Sequence, residues 1–561
     1  MSYQRLGDLL VSVGVISDAQ LDEALQLQKQ SKERLGTVLI QNGFITEKQL
    51  IESLTMQLGI EFIDLTKYMI PSEMAKLVSR NIAKKYNLVP IKLVKDTLYI
   101  AMTDPLNFMA IGDVKAATRK KIVPMIATQE AVDRAIIVLY GNEGAARAIE
   151  EMKLEVEAER ASAAQAAATS EDVQSAPTVR LVNSIIERAV SERASDIHLE
   201  PREENLYVRM RVDGMMRNTL TVPKNLENAV IARLKVMCGM DIAERKVPQD
   251  GRANVRVKQT DIDVRASTLP TIFGEKMVLR LLDKSGGMLN KKSIGLTGED
   301  LDKYDHLLSN TSGVILIVGP TGSGKSSTMY TMIQELNRET VNLVTLEDPV
   351  EYQMTGVNQV QINEKTGMTF ASGLRSILRQ DPDIVCVGEI RDNETAEIAM
   401  RAALTGHLVI STLHTNDAIT SIDRLEDMDV EPYLIASALK GVISQRLVRR
   451  ICPHCKQAYI PSAEELASIG VKTDTPPTLY RGKGCPDCFH TGYRGRVGVF
   501  EILVIDRDMR LAVSAGARQN EIERIAGKNG FVTLAAQCRK LVLAGVTTVE
   551  DAVRTINSTV V

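Results

Sequence analysis

The sequence predicts a multidomain α/β protein, and three observations carry that expectation. Residues 290–561 alternate short apolar runs with helical stretches, the signature of a mostly parallel sheet covered by helices on both faces. Residues 178–285 hold several short β-branched runs behind an amphipathic helix, as expected of a smaller α/β domain. A break in composition over 141–177 separates both from an N-terminal region that opens on a duplicated unit. The length, 561 residues, suits three or four domains.

The N-terminal domain spans 1–140. Residues 5–28 read RLGDLLVSVGVISDAQLDEALQLQ and residues 34–57 read RLGTVLIQNGFITEKQLIESLTMQ, with eleven identities in 24 positions. Each copy predicts two short helices. Ser17 and Thr46 are N-caps, with Gln20 and Gln49 three residues on. The shared Leu and Ile are core residues, but the shared Arg, Gly and Gln serve no core requirement. Further on, 88–91 and 97–102 predict strands and 131–140 a helix. The stretch 141–177 is rich in Ala, Glu and Ser and lacks aromatic residues, so it predicts a flexible linker, partly helical. In the middle domain 179–191 predicts the amphipathic helix. Strands are expected at 196–199, 206–212, 253–257, 262–267 and 276–282, before a hinge at Gly286 and Gly287.

Composition excludes several classes. Lys+Arg 68 against Asp+Glu 71 gives a net charge of −3, and there is no Trp, which disfavours a DNA-translocating ATPase with its basic, aromatic surface. No apolar run reaches the ~18 residues that span a bilayer, and the start lacks a secretory signal pattern, so a cytoplasmic protein is expected.

The chemistry concentrates in two places. Val314–Val318 is a short apolar run, followed by Gly319, Pro320, Thr321, Gly322, Ser323, Gly324, Lys325 and Ser326, then a helical stretch through Ser327 to Leu336. This is G-x-x-x-x-G-K-[ST] in its strand–loop–helix context. Glycines let backbone N–H groups curl around phosphates, and Lys325 neutralises phosphate charge. Ser326 is the expected Mg²⁺ ligand for bound ATP. Two acidic strand ends follow, at Glu347–Asp348 and at Glu389, placed to hold metal-bound water or to orient the attacking water. The second place is Cys452-x-x-Cys455 and Cys485-x-x-Cys488, two knuckles that predict a structural tetrathiolate Zn²⁺ element over 452–488. The long gap between the pairs requires a lobe between them.

These motifs, with Gly388-Glu389-Ile-Arg391-Asp392 and the segment from Thr405 through His407 to His414, resemble the secretion ATPase superfamily, whose members drive type II secretion and type IV pilus assembly. The resemblance covers nearly the whole chain. It implies a RecA-like P-loop ATPase domain at 290–561, a PAS-like α/β middle domain at 178–285, and a ring homo-hexamer with ATP between neighbouring subunits. It implies Arg209, Arg211, Arg265 and Arg280 as arginines that reach the γ-phosphate, and His407 and His414 as readers of the nucleotide state. Arg375, Arg379 and Arg391 are expected to bind acidic neighbours or phosphate. The zinc element is implied to belong to assembly rather than retraction motors. The repeat resembles the cyclic di-GMP-binding N-terminal domain of some of these ATPases. On that resemblance Arg5, Leu6, Gly7, Leu10, Gly14, Leu25 and Gln28, with Arg34, Leu35, Gly36, Leu39, Gly43, Leu54 and Gln57, form the ligand site. Arginine is the best bidentate donor to the guanine edge, and a twofold repeat suits a twofold ligand. A plain docking domain is the other reading of the repeat. The expected function is an ATP-driven pilus-assembly motor docked on an inner-membrane platform protein, peripheral to the membrane and without nucleic acid. A type II secretion motor is the alternative, and a nucleotide sensor without motor action is a third.

Overall fold

The computed structural model describes residues 10–557 except 12–13, 32–34, 36–37, 40–41, 47–48, 50–54, 56–59, 67, 69, 106, 163–176, 258–259 and 284–289. The chain forms two compact units. One holds the residues up to Asp283 with Gly484–Thr491, the other Lys284–Lys483 with Gly492 onward.

The repeat opens the first unit. Helix α1 (Asp18–Ser31) starts after Ser17, whose Oγ accepts the Gln20 N–H at 3.3 Å while Gln20 Oε1 accepts the Ser17 N–H at 2.9 Å. Thr46 and Gln49 repeat that reciprocal cap at 3.3 and 2.9 Å. The equal spacing in both copies dictates the equal geometry. Leu10, Ile16 and Ala24 of the first copy share one core with Val38, Leu39 and Ile45 of the second.

Next come helix α2 (Arg80–Tyr86), strands β1 (Leu88–Val94) and β2 (Thr97–Met102), helix α3 (Phe108–Thr118) and β3 (Lys121–Ile126). β1 and β2 form an antiparallel pair, and β3 lies parallel to β2 after the α3 crossover. Sequence reasoning missed β3 because Pro124 interrupts its pattern; the strand lies at the sheet edge, where Pro is tolerated.

The linker expectation for 141–177 requires correction over 141–162, while 163–176 lie outside the described residues. Helix α4 runs unbroken from Gln129 to Ser162. Ala145, Ala148, Ile149 and Met152 on it are buried against Leu181, Ile185 and the core around them. Alanine both favours helix and lets neighbouring helices approach closely, so a sequence poor in large apolar groups still packs. Helix α5 (Pro177–Ser191) then leads into a six-stranded antiparallel sheet of order β6-β5-β4-β9-β8-β7. Its strands are β4 (Ala194–Pro201), β5 (Asn205–Val212), β6 (Met215–Pro223), β7 (Gln249–Val257), β8 (Thr260–Thr271) and β9 (Gly274–Asp283), with helix α6 (Glu227–Met237) after β6. Strict alternation holds: Ile197, Leu199, Val208, Met210, Val264 and Leu279 face the core, so their polar neighbours face the other way. β6, α6 and the first four residues of β7 lie outside the elements expected from the sequence.

The second unit is a seven-stranded sheet of order β12-β11-β13-β14-β10-β15-β18. The strands are β10 (Gly313–Val318), β11 (Leu343–Glu347), β12 (Asn358–Gln361), β13 (Ile384–Val387), β14 (Leu408–Leu413), β15 (Leu439–Ile451) and β18 (Tyr493–Val504). Every pair is parallel except β15 with β18. Helices α7 (Lys325–Leu336), α8 (Phe370–Ile377) and α9 (Asn393–Leu404) help cover the two faces. All six residues of β10 are buried, as its continuous apolar run requires of a central strand. Between the two cysteine pairs lies the lobe that their spacing demands, a short hairpin of β16 (Lys456–Tyr459) and β17 (Leu479–Gly482). Among the described residues no helix is long and apolar enough to cross a membrane.

Candidate functional site

A cavity of about 400 Å³ opens at the carboxyl end of the seven-stranded sheet, where parallel α/β sheets ordinarily bind ligands. β10 delivers the loop 319–324 into it and α7 leaves it. The loop's shape depends on its glycines. Gly319, Gly322 and Gly324 have φ of 145°, 80° and 92°, and a Cβ on Gly324 would stand 2.8 Å from Gln445 Nε2. Gln445, on β15, is itself fixed by Thr328 of α7, whose Oγ1 donates to Gln445 Oε1 at 2.6 Å. Thr321, Gly322, Gly324, Lys325, Ser326 and Ser327 line the cavity; Pro320 and the buried Ser323 shape the loop without lining it.

Lys325 Nζ donates to the carbonyls of Gly319, at 2.7 Å, and Pro320, at 3.2 Å. Burial pulls its pKa down from 10.5 to about 8; Glu389 opposes the fall and Arg446 adds to it. A partly desolvated ammonium bound only to loop carbonyls is a strong partner for an entering polyanion.

Two carboxylates line the same cavity from neighbouring strand ends. Glu347 ends β11 and is 3% exposed. Its Oε1 accepts from Thr345 Oγ1 at 2.5 Å and Gln359 Nε2 at 3.1 Å, and its Oε2 accepts from Tyr330 Oη. Glu389, two residues past β13, pairs with Arg391 at 2.5 Å and with His414 Nε2 at 3.4 Å. Asp348 and His414 also line the cavity. The exposed Ser326 hydroxyl and the Glu347, Asp348 and Glu389 carboxylates are the hard oxygen donors a Mg²⁺–nucleotide complex requires, so the residues fit that ion.

His407 does not join them. It stands at the opposite end of β14 from His414, about 20 Å away at ~3.3 Å per residue, and its Nδ1 lies 2.9 Å from the Ala402 carbonyl. It closes the end of α9. Two histidines seven residues apart read as one constellation only until a strand is seen to run between them. Arg375 pairs with Glu394, Arg391 with Glu389, and Arg379 donates to the Arg375 carbonyl at 2.9 Å.

In the first unit the expected arginines lie on one face of the six-stranded sheet. Register sets Arg211 opposite Asp196, Asp196 opposite Arg280, Arg280 opposite Arg265 and Arg265 opposite Arg252. Asp196 lies 3.1 Å from Arg280 and 3.6 Å from Arg211; Asp263 lies 3.7 Å from Arg265; and Glu200 accepts from Arg209 at 3.1 Å. Like charges directly opposite one another destabilise a sheet, and here Asp196, Asp263 and Glu200 offset part of that repulsion. Arg252 was missed, although the period-2 run Gly-Arg-Ala-Asn-Val-Arg places it on this face. Tyr330, Thr345 and Gln359 were missed too, since nothing in sequence joins them to Glu347.

The Sγ atoms of Cys452, Cys455, Cys485 and Cys488 all lie within 4.8 Å of one another. The Cys485–Cys488 separation, 3.7 Å, matches the edge of a tetrahedron with ~2.3 Å metal–sulfur bonds. The thiols therefore fit Zn²⁺, with all four ligand positions supplied by protein. The N–H of Cys452 reaches the Gly492 carbonyl at 2.9 Å, and the N–H of Lys483 reaches the Cys455 carbonyl at 3.0 Å, which holds the two stems together.

Of the expected cyclic di-GMP residues, Arg5, Leu6, Gly7, Arg34, Gly36, Leu54 and Gln57 lie outside the described residues. Leu10 and Leu39 are fully buried in the shared core and so serve packing. Leu25 is exposed, Leu35 is half-buried, Gln28 is partly exposed, and Gly14 and Gly43 occupy matching left-handed positions at φ 74° and 71°.

Comparison with known proteins gives a consistent result. Residues 171–554 match the family model of the type II/IV secretion system protein, and residues 58–146 match the MshEN domain. The type IV pilus assembly ATPase PilB of Myxococcus xanthus is 39% identical over 98% of both chains. The type II secretion system protein E of Pseudomonas aeruginosa is 42% identical over 86% of this chain and 97% of its own. The ATPase DotB of Yersinia pseudotuberculosis shares the fold, with a TM-score of 0.51 and 18% identity over 70% of this chain and 95% of that one.

Proposed function

The chain belongs to the type II/IV secretion system protein family of ATPases, and from that premise we propose that it is a hexameric motor that hydrolyses ATP to power type IV pilus assembly. The observation that carries this reading is the convergence of Lys325, Glu347 and Glu389 on one cavity beneath the phosphate-type loop. The loop N–H groups and the start of α7 hold the β-phosphate. Lys325 neutralises charge on the β- and γ-phosphates. Mg²⁺, held by Ser326 Oγ and the water shell of the carboxylates, supplies charge neutralisation between those phosphates when bound. A water oxygen attacks the γ-phosphorus, the bond to the β-phosphate oxygen breaks, and Glu347 or Glu389 accepts the water proton.

The arginine row of the first unit is read as the complement supplied to a neighbour's γ-phosphate in a ring. The register that sets Arg280 opposite Arg265 and Arg265 opposite Arg252 supports that role, since an Arg on transferring phosphoryl charge is worth about 10³–10⁵ in rate. Force then passes to a membrane platform protein at the inner face of the cytoplasmic membrane. The end-to-end match to a pilus assembly ATPase favours pili. The higher identity to a type II secretion protein supports secretion as the second reading. The thiol cluster is read as structural Zn²⁺.

The repeat is read as a cyclic di-GMP site, with Arg5 and Arg34 on the guanine edges. The MshEN match covers the α/β module that follows it. Two measurements test these readings. Lys325→Ala in the full chain removes ATP turnover, and mixing it with Arg265→Ala subunits restores part of it; an absence of rescue rejects the shared site. Calorimetric titration of the full chain with cyclic di-GMP gives binding that Arg5→Ala and Arg34→Ala each abolish. Absence of binding makes the repeat a docking domain.

A further inference from the structure

Glu347 is the most buried acid of the cavity, and one side chain organises it. Tyr330 lies one helical turn after Ser326 on α7, on the same face. Its Oη donates to Glu347 Oε2. The same oxygen accepts the N–H groups of Glu351 and Tyr352, at 3.1 and 3.3 Å. The Tyr352 ring closes edge-on over Tyr330, centroids 5.5 Å apart and planes at 87°. One phenol thus joins the phosphate-loop helix, the end of β11 and the loop that follows it.

We propose that Tyr330 is a positioning residue for ATP hydrolysis: it holds the Glu347 carboxylate aimed into the cavity, and couples its aim to the helix that carries Lys325 and Ser326. This rests on the reading of the cavity as the hydrolytic site. Thr345 and Gln359 fix Oε1 only, so without the phenol Oε2 has no other donor among the described residues and the carboxylate is free to turn. Tyr330 lines the cavity, but its hydroxyl bonds Glu347, Glu351 and Tyr352 rather than the loop 319–324, so loss of the hydroxyl alone is expected to leave nucleotide affinity nearly unchanged. Groups that hydrogen-bond to a reacting side chain typically change activity by about 10- to 100-fold.

The test is a double-mutant cycle in the full chain: Tyr330→Phe, Glu347→Gln and the two combined, read by steady-state ATPase assay and by the affinity of a fluorescent ATP analogue. Phe keeps the ring and its packing on Tyr352. The expected result is a kcat about 10- to 100-fold lower in Tyr330→Phe, with nucleotide affinity within about twofold of the parent. Glu347→Gln lowers kcat further, and the combined variant matches Glu347→Gln alone, as expected when two residues act as one unit. Full turnover in Tyr330→Phe overturns the proposal, as does multiplication of the two effects, which would mark a merely structural tyrosine. Full turnover in Glu347→Gln overturns it as well and locates the error in the role given to Glu347. Full turnover in Lys325→Ala would instead locate the error in the site itself.

Discussion

Replacing Lys325 by Met should destroy ATP hydrolysis and yet stabilise the nucleotide-free protein. The lysine is partly buried, and its pKa falls from an ordinary 10.5 to about 8, chiefly through desolvation. A difference of about 2.5 pH units, at about 1.4 kcal/mol each, sets an upper bound of ~3.5 kcal/mol on the cost of keeping the ammonium charged at neutral pH, and solvent screening of this partly exposed side chain brings it to ~2 kcal/mol. The direction follows from linkage. Between pH 8 and 10.5 the unfolded chain binds more protons than the folded one, so stability rises with pH across that window. The full cost is present below pH 8 and is gone near 10.5. Met keeps the length of the stem and removes the charge. It also removes the bonds to the Gly319 and Pro320 carbonyls, which returns about 1 kcal/mol. The net gain at pH 7 is ~1 kcal/mol. At roughly 2–4 °C per kcal/mol for a domain of ordinary size, this raises the melting temperature by about 2–4 °C. Calorimetric scans of nucleotide-free parent and variant from pH 7 to 10 read the effect. A variant less stable than the parent at pH 7, or a difference that does not shrink above pH 8, refutes the account of Lys325 as a strained, desolvated charge awaiting an anion.

Two further expectations concern the framework around the site. Cys452→Ser should lower bound zinc, measured by elemental analysis of the purified chain, and lower the melting temperature of the lobe between the cysteine pairs; unchanged metal content would reject the cluster. Asp551 is fully buried and accepts from the backbone N–H of Arg449 at 2.6 Å, from Arg449 Nε at 2.7 Å and from Arg554 Nη2 at 2.7 Å. Asp551→Ala strands the buried Arg449 guanidinium and should cost about 3–5 kcal/mol in urea unfolding, whereas a cost below about 1 kcal/mol would mean that solvent already reaches the pair.

The sequence by itself determined whatever is local. A strand, a glycine loop and a lysine at fixed spacing can fold in few ways, because the backbone conformations of Gly319, Gly322 and Gly324 and the capping geometry at Ser17 and Thr46 are set within a few residues. The cysteine pairs likewise announce a four-sulfur cluster, since two short knuckles leave little freedom in how thiols converge. The family resemblance singled out Arg209, Arg211, Arg265 and Arg280 on the expected strands of the middle domain. Only the tertiary structure decided which distant residues meet. It separated His407 from His414, because a strand's length is invisible until its ends are known. It turned the alanine-rich stretch at 141–162 into a packed helix, since burial of small residues depends on the partner that comes close. It set Arg252 beside Arg265, and it brought Tyr330, Thr345 and Gln359 around Glu347. Those contacts depend on strand order and register, which arise from the whole sheet closing over its core and which no stretch of sequence encodes alone.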